Sequence, residues 1–380
     1  MKRNLVLTPG PTQVPSEVCE VLGKPIIHHR TPQFQAVLKE AGEGLKYIFQ
    51  TKNDVMILTS SGTGAMEAAV CNLLSPGDQA IAVEGGKFGE RWTEICNAYG
   101  IKAHVLKVEW GKAVNASQIK KLLDANKDIK AVFVTLCETS TGVTNDIKAL
   151  GEVISKTNAV LVVDAISGLG VTDMQTDNWS VDVVVAGSQK GLMLPPGLGF
   201  ISVSPKAWGL VKQSKCPKYY FDLNKAQKAV EKIDTPFTPA LGIIRALTES
   251  LKLIKQDGIE ELFAYYIKMQ KATIAAAKAL KLELLAEESC ASSVVTAIKV
   301  PAGLDGEKLV KIMRDTHGIT IAGGQGEELK GKVIRIAHMG CLDEYDTLVG
   351  ISCLEKVLKE MGYKFEVGSG VATAQKVFNA

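Results

Sequence analysis

The sequence lacks the features that mark several broad classes of protein. Its eight cysteines include no C-x-x-C pair and no Cys/His cluster with zinc spacing, so no structural zinc site is indicated. The 44 basic and 41 acidic residues are dispersed, and no basic run is dense enough to follow a phosphate backbone. No apolar run is long enough to span a bilayer, and Leu5-Val6-Leu7 is too short for the core of a signal peptide. We therefore expect a cytoplasmic protein with no metal, no nucleic-acid partner and no membrane segment.

The length of the chain, its prolines and its helical pattern predict how it is divided into domains. A chain of 380 residues exceeds the size at which one hydrophobic core keeps growing, so we expect a large domain with a smaller one beside it. The prolines between Thr8 and Pro15 fix φ at several positions, which predicts a stiff strap across the domains within residues 1–20. Residues 21–255 are expected to form the large domain. A long helical stretch follows Leu251, and residues 256–380 are expected to form the small domain.

Short β-rich runs alternate with helical patterns through the first part of the sequence. Strands that alternate with helices predict a parallel sheet, and runs that are apolar on both faces are typical of strands covered by helices on both sides. The predicted fold class is therefore α/β, with a mostly parallel sheet flanked by helices and a smaller α+β C-terminal domain. The predicted strands are Val55 to Thr59, Ala80 to Val83, His104 to Val108, Ala131 to Leu136, Val160 to Asp164, Asp182 to Ala186, Gly199 to Val203, Val294 to Lys299, Ile319 to Ala322 and Val333 to Ala337.

Small and polar residues follow several of the predicted strands at the point where each strand ends. Ligands of parallel α/β sheets bind at the carboxyl ends of the strands, so we expect these residues to share one crevice. The crevice would collect a glycine turn, an aromatic ring, a hydroxyl, a carboxylate and an amine. These come from the segments Ser61 to Ala65, Glu84 to Gly89, Glu138 to Gly142, Asp164 and Gly187 to Lys190.

The turn from Ser61 to Ala65 opens directly into a predicted helix. Its free backbone N–H groups and the helix dipole suit a phosphate. A tight turn in which Thr63 caps the helix would explain the same residues equally well. A dinucleotide-binding turn, as in an NAD-dependent dehydrogenase, is a further alternative because Glu84 ends the next strand. Glu67 occupies the third glycine position of that motif, which disfavours the dehydrogenase.

Asp164 and Lys190 are more informative as a pair than singly. Alone, an aspartate after a buried run is most simply a cap or turn residue, and a lone lysine is most simply a surface residue. Together they meet the needs of pyridoxal phosphate (PLP), which takes a Schiff base from a lysine amine and a carboxylate against its pyridine nitrogen. Lys190 also lies in a stiff segment rich in glycine and proline, Gly187 to Gly197, which is unlike a solvated face.

Further short motifs occur from one end of the chain to nearly the other. They are Thr8-Pro9-Gly10-Pro11, His29-Arg30-Thr31, Ser61-Gly62-Thr63-Gly64, Phe88-Gly89-Glu90-Arg91, Glu138-Thr139-Ser140-Thr141-Gly142, Val163-Asp164-Ala165, Gly187-Ser188-Gln189-Lys190, Thr235-Pro236-Phe237-Thr238-Pro239 and Ile334-Arg335-Ile336-Ala337. In this order they resemble the class V aminotransferases, which are PLP enzymes of fold type I. Within that class, the chain looks close to the alanine/serine–glyoxylate (serine–pyruvate) aminotransferases. The resemblance implies PLP as cofactor and a homodimer with shared active sites.

The resemblance also implies a role for each matching residue around the cofactor. Lys190 is implied to hold PLP as the internal aldimine and to move the substrate proton, and Asp164 to keep the pyridine nitrogen protonated. Phe88 and Ile166 are implied to pack on the two faces of the ring, with Thr139 near the ring oxygen. The residues implied around the phosphate are Thr63, Gly64, Ala65, Gln189 and, from a second subunit, Thr238.

Two residues are implied to meet the substrate. Arg335 matches the arginine that binds the substrate carboxylate, a bidentate task for which guanidinium geometry is well suited. Gly10 lies where the strap approaches the substrate. The implied reaction is a ping-pong transfer of an amino group from alanine or serine to glyoxylate or pyruvate. Aspartate, phosphoserine and aminophosphonates stay open as alternative amino donors.

A cysteine desulfurase-like lyase on the same fold is the nearest rival. Such enzymes are similar in their cofactor motifs, but they commonly place a histidine before the Schiff-base lysine and a reactive cysteine on a mobile loop. Here Gln189 precedes Lys190, and neither Cys290 nor Cys341 lies in a recognisable reactive loop. A PLP-binding regulator without catalysis is disfavoured because the lysine, the aspartate and the arginine are all retained.

The histidines give no sign of a metal site. His28 and His29 are adjacent on a segment expected to be extended, so their side chains point apart, and no second pair of ligands has suitable spacing. We expect a structural role for both. His338 follows a predicted strand, and the sequence leaves open whether it faces the active site or the core.

Overall fold

The computed structural model of the protein describes residues 4–380. The α-helices lie at Ser16–Leu22 (α1), Pro32–Phe49 (α2), Gly62–Leu73 (α3), Lys87–Ala98 (α4), Ala116–Ala125 (α5), Ile147–Ile154 (α6), Pro205–Val211 (α7), Leu223–Val230 (α8), Leu241–Asp257 (α9), Ile259–Ala279 (α10), Gly306–His317 (α11), Gly326–Leu329 (α12), Glu344–Glu360 (α13) and Ser369–Phe378 (α14). The strands lie at Leu5–Val6 (β1), Val55–Thr59 (β2), Gln79–Glu84 (β3), Lys102–Lys107 (β4), Ile129–Thr135 (β5), Cys137–Glu138 (β6), Val143–Thr144 (β7), Val160–Asp164 (β8), Val183–Gly187 (β9), Leu198–Val203 (β10), Val295–Lys299 (β11), Ile319–Thr320 (β12), Ala322–Gly323 (β13) and Val333–Ala337 (β14).

A seven-stranded sheet forms the centre of the structure, in the order β2-β10-β9-β8-β5-β3-β4. All of its neighbouring strands are parallel except β10, which is antiparallel to both β2 and β9. Alternate residues of β8 enter different hydrophobic clusters, Leu161 and Val163 on one face and Val160 and Val162 on the other. Helices therefore cover both faces, and the predicted α/β fold with a mostly parallel sheet is confirmed.

The sequence did not predict that β10 would run antiparallel. Only ten residues separate the end of β9 at Gly187 from the start of β10 at Leu198. A parallel crossover needs a dozen or more residues, usually including a helix, so this connection can only reverse the chain. Because β10 is antiparallel to both neighbours, β2 and β9 run in the same direction, and the segment with Lys190 lies at the same edge of the sheet as the start of α3. A short hairpin of β6 and β7 was also not predicted.

A second, antiparallel sheet has the order β11-β14-β13. α10 packs against α14, and residues of α10, α11 and α13 share a hydrophobic cluster with β11 and β14. The predicted boundary between residues 255 and 256 falls near the end of α9, and the division into domains stays a prediction. Within residues 4–380, no helix combines the length and the apolar character that crossing a bilayer requires.

The N-terminal segment connects the second half of the chain to the loop after β9. β1 pairs in parallel with β12, and Leu7 O accepts a hydrogen bond from Ala337 N at 2.9 Å. A few residues later, Thr12 N donates to Gln189 O at 3.2 Å, and Thr12 Oγ1 donates to Lys190 O at 3.0 Å. We call residues 5–12 the strap. Its hydrogen bonds hold β14 and the loop that carries Lys190 in a fixed relation.

Leu7 is expected to be a stability determinant of the strap. Its side chain is fully buried, and its Cδ1 lies so close to Gly350 that a Cβ there would come within 2.4 Å. Leu7→Ala should lower the free energy of unfolding by about 2–5 kcal/mol, because a cavity replaces a closely packed side chain. Urea unfolding followed by circular dichroism would measure the change. The control is Ile26→Ala, since Ile26 is 77% exposed and its truncation should have little effect. Equal stability of the two variants would contradict the prediction.

Candidate active site

α3 begins at the glycine turn that follows β2. Ser61 is the N-cap, with an extended backbone and no side-chain cap, and the first helical bond runs from Ala65 N to Ser61 O at 3.2 Å. The N–H groups at the first three helical positions therefore have no partner within the helix and suit an anion. Thr63 does not cap the helix, so that alternative is wrong. Its Oγ1 instead accepts a hydrogen bond from Arg91 Nη1 at 3.2 Å.

Glu138 is a buried carboxylate that joins α4 to the turn after β6. Its Oε2 accepts hydrogen bonds from Phe88 N at 3.0 Å and Gly89 N at 2.9 Å. Its Oε1 accepts from Ser140 N at 3.1 Å and Ser140 Oγ at 2.5 Å. Burial raises the pKa of Glu138, and these hydrogen bonds act in the opposite direction. We call this arrangement the Glu138 clamp. It fixes the half-buried ring of Phe88 relative to Thr139.

Asp164 is the last residue of β8 and is only 3% exposed. Burial raises its pKa to about 7. The Ile166 N–H, which donates to Asp164 Oδ1 at 2.8 Å, and the charges of Arg91 and Lys190 oppose the rise. The bond to Ile166 is of the turn type that aspartates commonly form. A carboxyl group that is this deeply buried is stabilised as an anion by any cationic N–H group that lies next to it.

Lys190 lies three residues after β9, with its amine at the strap. Nζ donates a hydrogen bond to Pro9 O at 2.6 Å. Burial lowers the pKa of Lys190 to about 8, helped by the charges of Arg335 and Arg91, while Asp164 raises it. A larger share of this amine is therefore neutral near physiological pH than for an ordinary lysine, so it can act as a nucleophile or base.

Gly10 covers the amine of Lys190 from the strap. Its φ is +120°, and a Cβ at this position would lie 2.2 Å from Lys190 Nζ. Both the backbone conformation and the space available therefore require glycine. The sequence predicted that Gly10 approaches the substrate, and the structure places it directly against the amine.

Arg335 lies in the middle of β14 and is 4% exposed. Its Nε donates to Gly323 O at 2.9 Å, and its Nη1 donates to Thr139 O at 2.8 Å. Burial lowers the pKa of Arg335 to about 10, and Glu138 raises it. The group thus stays charged at neutral pH. Two of its five N–H donors are held by carbonyl oxygens, and the rest can meet a carboxylate.

The remaining predicted site residues divide into two groups. Ile166 packs beside the glycine turn, since a Cβ at Gly62 would lie 2.5 Å from its Cδ1. Gln189 has a buried Oε1 that finds no hydrogen-bond partner among the described residues, and Gly64 and Ala65 are buried in α3. Thr238 is different. It is exposed near the end of β2, and none of the hydrogen bonds within residues 4–380 connects it to the other predicted site residues.

Sequence reasoning assigned no role to Glu138 or Arg91, although both lie inside motifs that it identified. Arg91 is the charged end of Phe88-Gly89-Glu90-Arg91, and its guanidinium carbon lies 5.0 Å from the centroid of the Phe88 ring. Glu138 precedes Thr139, and Arg91 shares a motif with Phe88. Their charged side chains next to residues already assigned to the site were the signal that could have identified them.

Neither Cys290 nor Cys341 has the environment of a nucleophile. Burial raises the pKa of Cys290 and also that of Cys341, whereas a reactive thiol needs a lowered pKa. Cys290 Sγ contacts two carbonyl oxygens, those of Gly111 and Glu287, at 3.6 and 3.4 Å. This environment gives no support to a desulfurase-like reaction.

His338 faces the core. It is fully buried, its Nε2 lies 2.8 Å from Thr296 Oγ1, and burial lowers its pKa to about 3. The rings of His28 and His29 lie 4.7 Å apart, so the expectation that these side chains point apart is wrong. Throughout the described part of the chain, no three His, Cys, Asp or Glu side chains converge in a way that could hold a metal ion.

Comparisons with known proteins agree with this geometry. The family model "Aminotransferase class-V" matches residues 7–332. The chain is 44% identical to the "Soluble hydrogenase, small subunit" of Synechococcus sp. (strain PCC 6716) over 99% of this chain and 98% of that protein. It is 37% identical to the L-aspartate–glyoxylate aminotransferase of Paracoccus denitrificans over 98% of this chain and 96% of that protein.

A solved structure shows the same fold over the whole chain. The ureidoglycine–glyoxylate aminotransferase of Bacillus subtilis superposes with a TM-score of 0.96 at 30% sequence identity, covering 100% of this chain and 99% of that one. The predicted fold type I architecture is thereby confirmed. The family model, the Paracoccus relative and this structure lead to one conclusion: the chain belongs to the class V aminotransferases.

Proposed function

We propose that this protein uses PLP to transfer an amino group from a small amino acid, alanine or serine, to glyoxylate or pyruvate. The observation that carries the proposal is the grouping of Asp164 and Arg335 around Lys190: all three side chains are desolvated, and the charges of Asp164 and Arg335 both act on the Lys190 amine. Glyoxylate is supported as acceptor because it is named in two of the compared proteins, the aspartate–glyoxylate and ureidoglycine–glyoxylate enzymes.

The residues of the crevice fit PLP. Class V aminotransferases are generally PLP-dependent. The uncapped start of α3 offers backbone N–H groups to a phosphate, and the amide of Gln189, which lacks a partner at its buried oxygen, can turn its nitrogen to the same group. Asp164 offers a buried carboxylate to a ring N–H, and Lys190 offers an amine of lowered pKa to the aldehyde. Phe88, Ile166 and Thr139 would surround the ring.

When bound, PLP would supply a ring that accepts the electron pair left when the substrate loses its Cα proton. Arg335 would hold the substrate carboxylate and so fix the position of Cα. Lys190 Nζ would take the proton from Cα and return it on the cofactor side, and Asp164 would keep the ring nitrogen protonated. The strap, with Pro9 O and Gly10 against the amine, would limit the access of water.

The close cover of the strap over Lys190 supports a small substrate. Because a Cβ at Gly10 would collide with the amine, the space above Nζ is narrow. Aspartate is the second candidate donor, since the Paracoccus relative is named for it. Phosphoserine and aminophosphonates are further donors to test. A screen of these donors against glyoxylate and pyruvate would decide, and the absence of any turnover would contradict the proposal.

The proposal includes a homodimer in which Thr238 of a second copy reaches the phosphate. Within residues 4–380 of one chain, Thr238 is exposed and forms no hydrogen bond with the other predicted site residues, which leaves it accessible to a second copy. Large apolar side chains near it are also exposed, with Tyr219 at 73% and Tyr220 at 45%. Such a surface is typical of one that another protein covers.

Lys190→Ala should abolish steady-state amino transfer. Loss of a positioned base costs about 10²–10⁴-fold in rate, and loss of the covalent link to PLP should add to this. Noncovalent binding of PLP should persist, because the start of α3, Asp164 and Arg335 are unchanged. Coupled assays with alanine and glyoxylate would measure the rate. The matched control is Lys215→Ala, since Lys215 is exposed on the surface. Near wild-type turnover by Lys190→Ala would refute its role.

Arg335→Lys should weaken the binding of both amino acid and oxo acid by about ten- to a hundredfold, with little change in the absorbance of bound PLP. Lysine keeps the charge but loses the planar pair of donors that a carboxylate prefers. Apparent affinities from both half-reactions would measure the effect. Arg314→Lys serves as control because Arg314 is exposed on α11. Unchanged affinity for both substrates would reject the assignment of Arg335.

The capture of PLP by the cofactor-free protein should depend on pH through Lys190. The pKa of this amine is lowered to about 8, so its neutral, nucleophilic form is lost as the pH falls below 8. The rate of covalent capture should therefore rise with a midpoint near pH 8 and level off above it, as followed by stopped-flow absorbance. Nα-acetyl-lysine is the reference, and it should keep gaining rate to about pH 10. A profile for the protein that matches the free amine would contradict the lowered pKa.

A further inference from the structure

The phosphate site assigned from the sequence contains no positive charge. Thr63, Gly64, Ala65, Gln189 and Thr238 offer backbone N–H groups, a hydroxyl group and an amide, all neutral. The phosphate group of PLP is an anion. Nearby, Lys190 is engaged with the aldehyde and Arg335 with the substrate in the function proposed above. A dedicated cation would complete the site, since charge-assisted hydrogen bonds are about twice as strong as neutral ones.

Arg91 reaches the start of α3 from α4. Its Nη1 lies 3.2 Å from Oγ1 of Thr63, which is the second residue of α3. Its guanidinium carbon lies 5.0 Å from the centroid of the Phe88 ring, so the side chain extends along that ring toward the turn. The charge of Arg91 also acts on Asp164 and Lys190, which shows that it is close to the crevice.

No carboxylate partner in the part of the chain that the structure describes explains the position of Arg91. Among residues 4–380, it forms no ion pair with an aspartate or glutamate, whereas Lys87 on the same helix pairs with Glu90. One guanidinium N–H donates to Thr63, and the other donors remain available. An arginine held beside an uncapped helix start, with no ion pair to an aspartate or glutamate among residues 4–380, has the chemistry of an anion ligand.

We propose that Arg91 is a ligand of the cofactor phosphate and acts together with the N–H groups at the start of α3. The inference rests on the proposed function, because it takes PLP as the source of the phosphate. Arg91 would contribute the positive charge of the site, while Phe88 and Thr63 set its orientation. The ring of PLP would keep its own contacts with Asp164 and Lys190.

The test compares PLP with pyridoxal, which lacks the phosphate, on the full-length protein freed of cofactor. Equilibrium dialysis would give dissociation constants for wild type, Arg91→Gln and Arg91→Lys. We expect Arg91→Gln to weaken PLP binding by about ten- to a hundredfold and Arg91→Lys to weaken it less, because lysine keeps the charge. Pyridoxal should bind all three proteins with similar affinity. Inorganic phosphate should compete with PLP in wild type and compete less well in Arg91→Gln.

Lys102→Gln is the matched control, since it removes one positive charge from an exposed position of β4, next to the strand that leads to α4. It should leave the binding of both compounds unchanged. Equal losses of PLP and pyridoxal in Arg91→Gln would overturn the inference and point to a role in the fold or ring contact. Unchanged PLP binding with a selective loss of turnover for aspartate would also overturn it, because Arg91 would then bind a second substrate carboxylate.

The outcome also separates this inference from the proposed function. If wild type binds inorganic phosphate but not PLP, and Arg91→Gln loses the phosphate, then Arg91 is a phosphate ligand while the proposed function fails. If wild type binds PLP and transfers amino groups, but the phosphate preference does not change in Arg91→Gln, then only the assignment of Arg91 fails. Binding of neither PLP nor phosphate by wild type would reject both.

Discussion

The burial of charge at the carboxyl edge of the central sheet is the constraint on which the site depends. β8 and β9 are buried on both faces, so the residues at their carboxyl ends lie next to a core from which water is excluded. Asp164 and Lys190 lie there. Desolvation raises the pKa of Asp164 to about 7 and lowers the pKa of Lys190 to about 8. A carboxyl group and an amine poised near neutral pH are what proton transfer requires. The same residues on a solvated loop would be an ordinary acid and base.

The Glu138 clamp and the strap hold the other predicted site residues against this edge of the sheet. The Glu138 clamp binds the start of α4 to the turn that carries Thr139, and Thr139 O in turn holds Arg335. The strap binds β14 at one end and the loop of Lys190 at the other. The positions of Phe88, Arg335 and the Lys190 amine are therefore linked through hydrogen bonds rather than set independently.

The sequence predicted the fold type, and it predicted the ends of most strands to within two residues. Apolar runs that are bounded by clear turns leave few alternatives. It also grouped Asp164, Lys190 and the glycine turn, since parallel strands deliver their ends to one edge. It missed the reversal at β10, which depends on the length of a loop. It gave Glu138 and Arg91 no role, because their partners, Phe88 N–H and Thr63, lie 50 and 28 residues away and become neighbours only in the fold.

The pairing of β1 with β12 has a consequence for how the protein is made. Pro9 and Gly10 leave the ribosome early, but the strand that anchors them lies at Ile319–Thr320, more than three hundred residues later. Between the synthesis of Lys190 and that of Ile319, the nascent chain therefore carries Lys190 without the strand that anchors the cover over its amine. Contacts of such wide sequence separation form late, since a long loop must close first. The cover over the Lys190 amine is thereby tied to synthesis of the segment that contains β12 rather than to synthesis of the segment that bears the lysine.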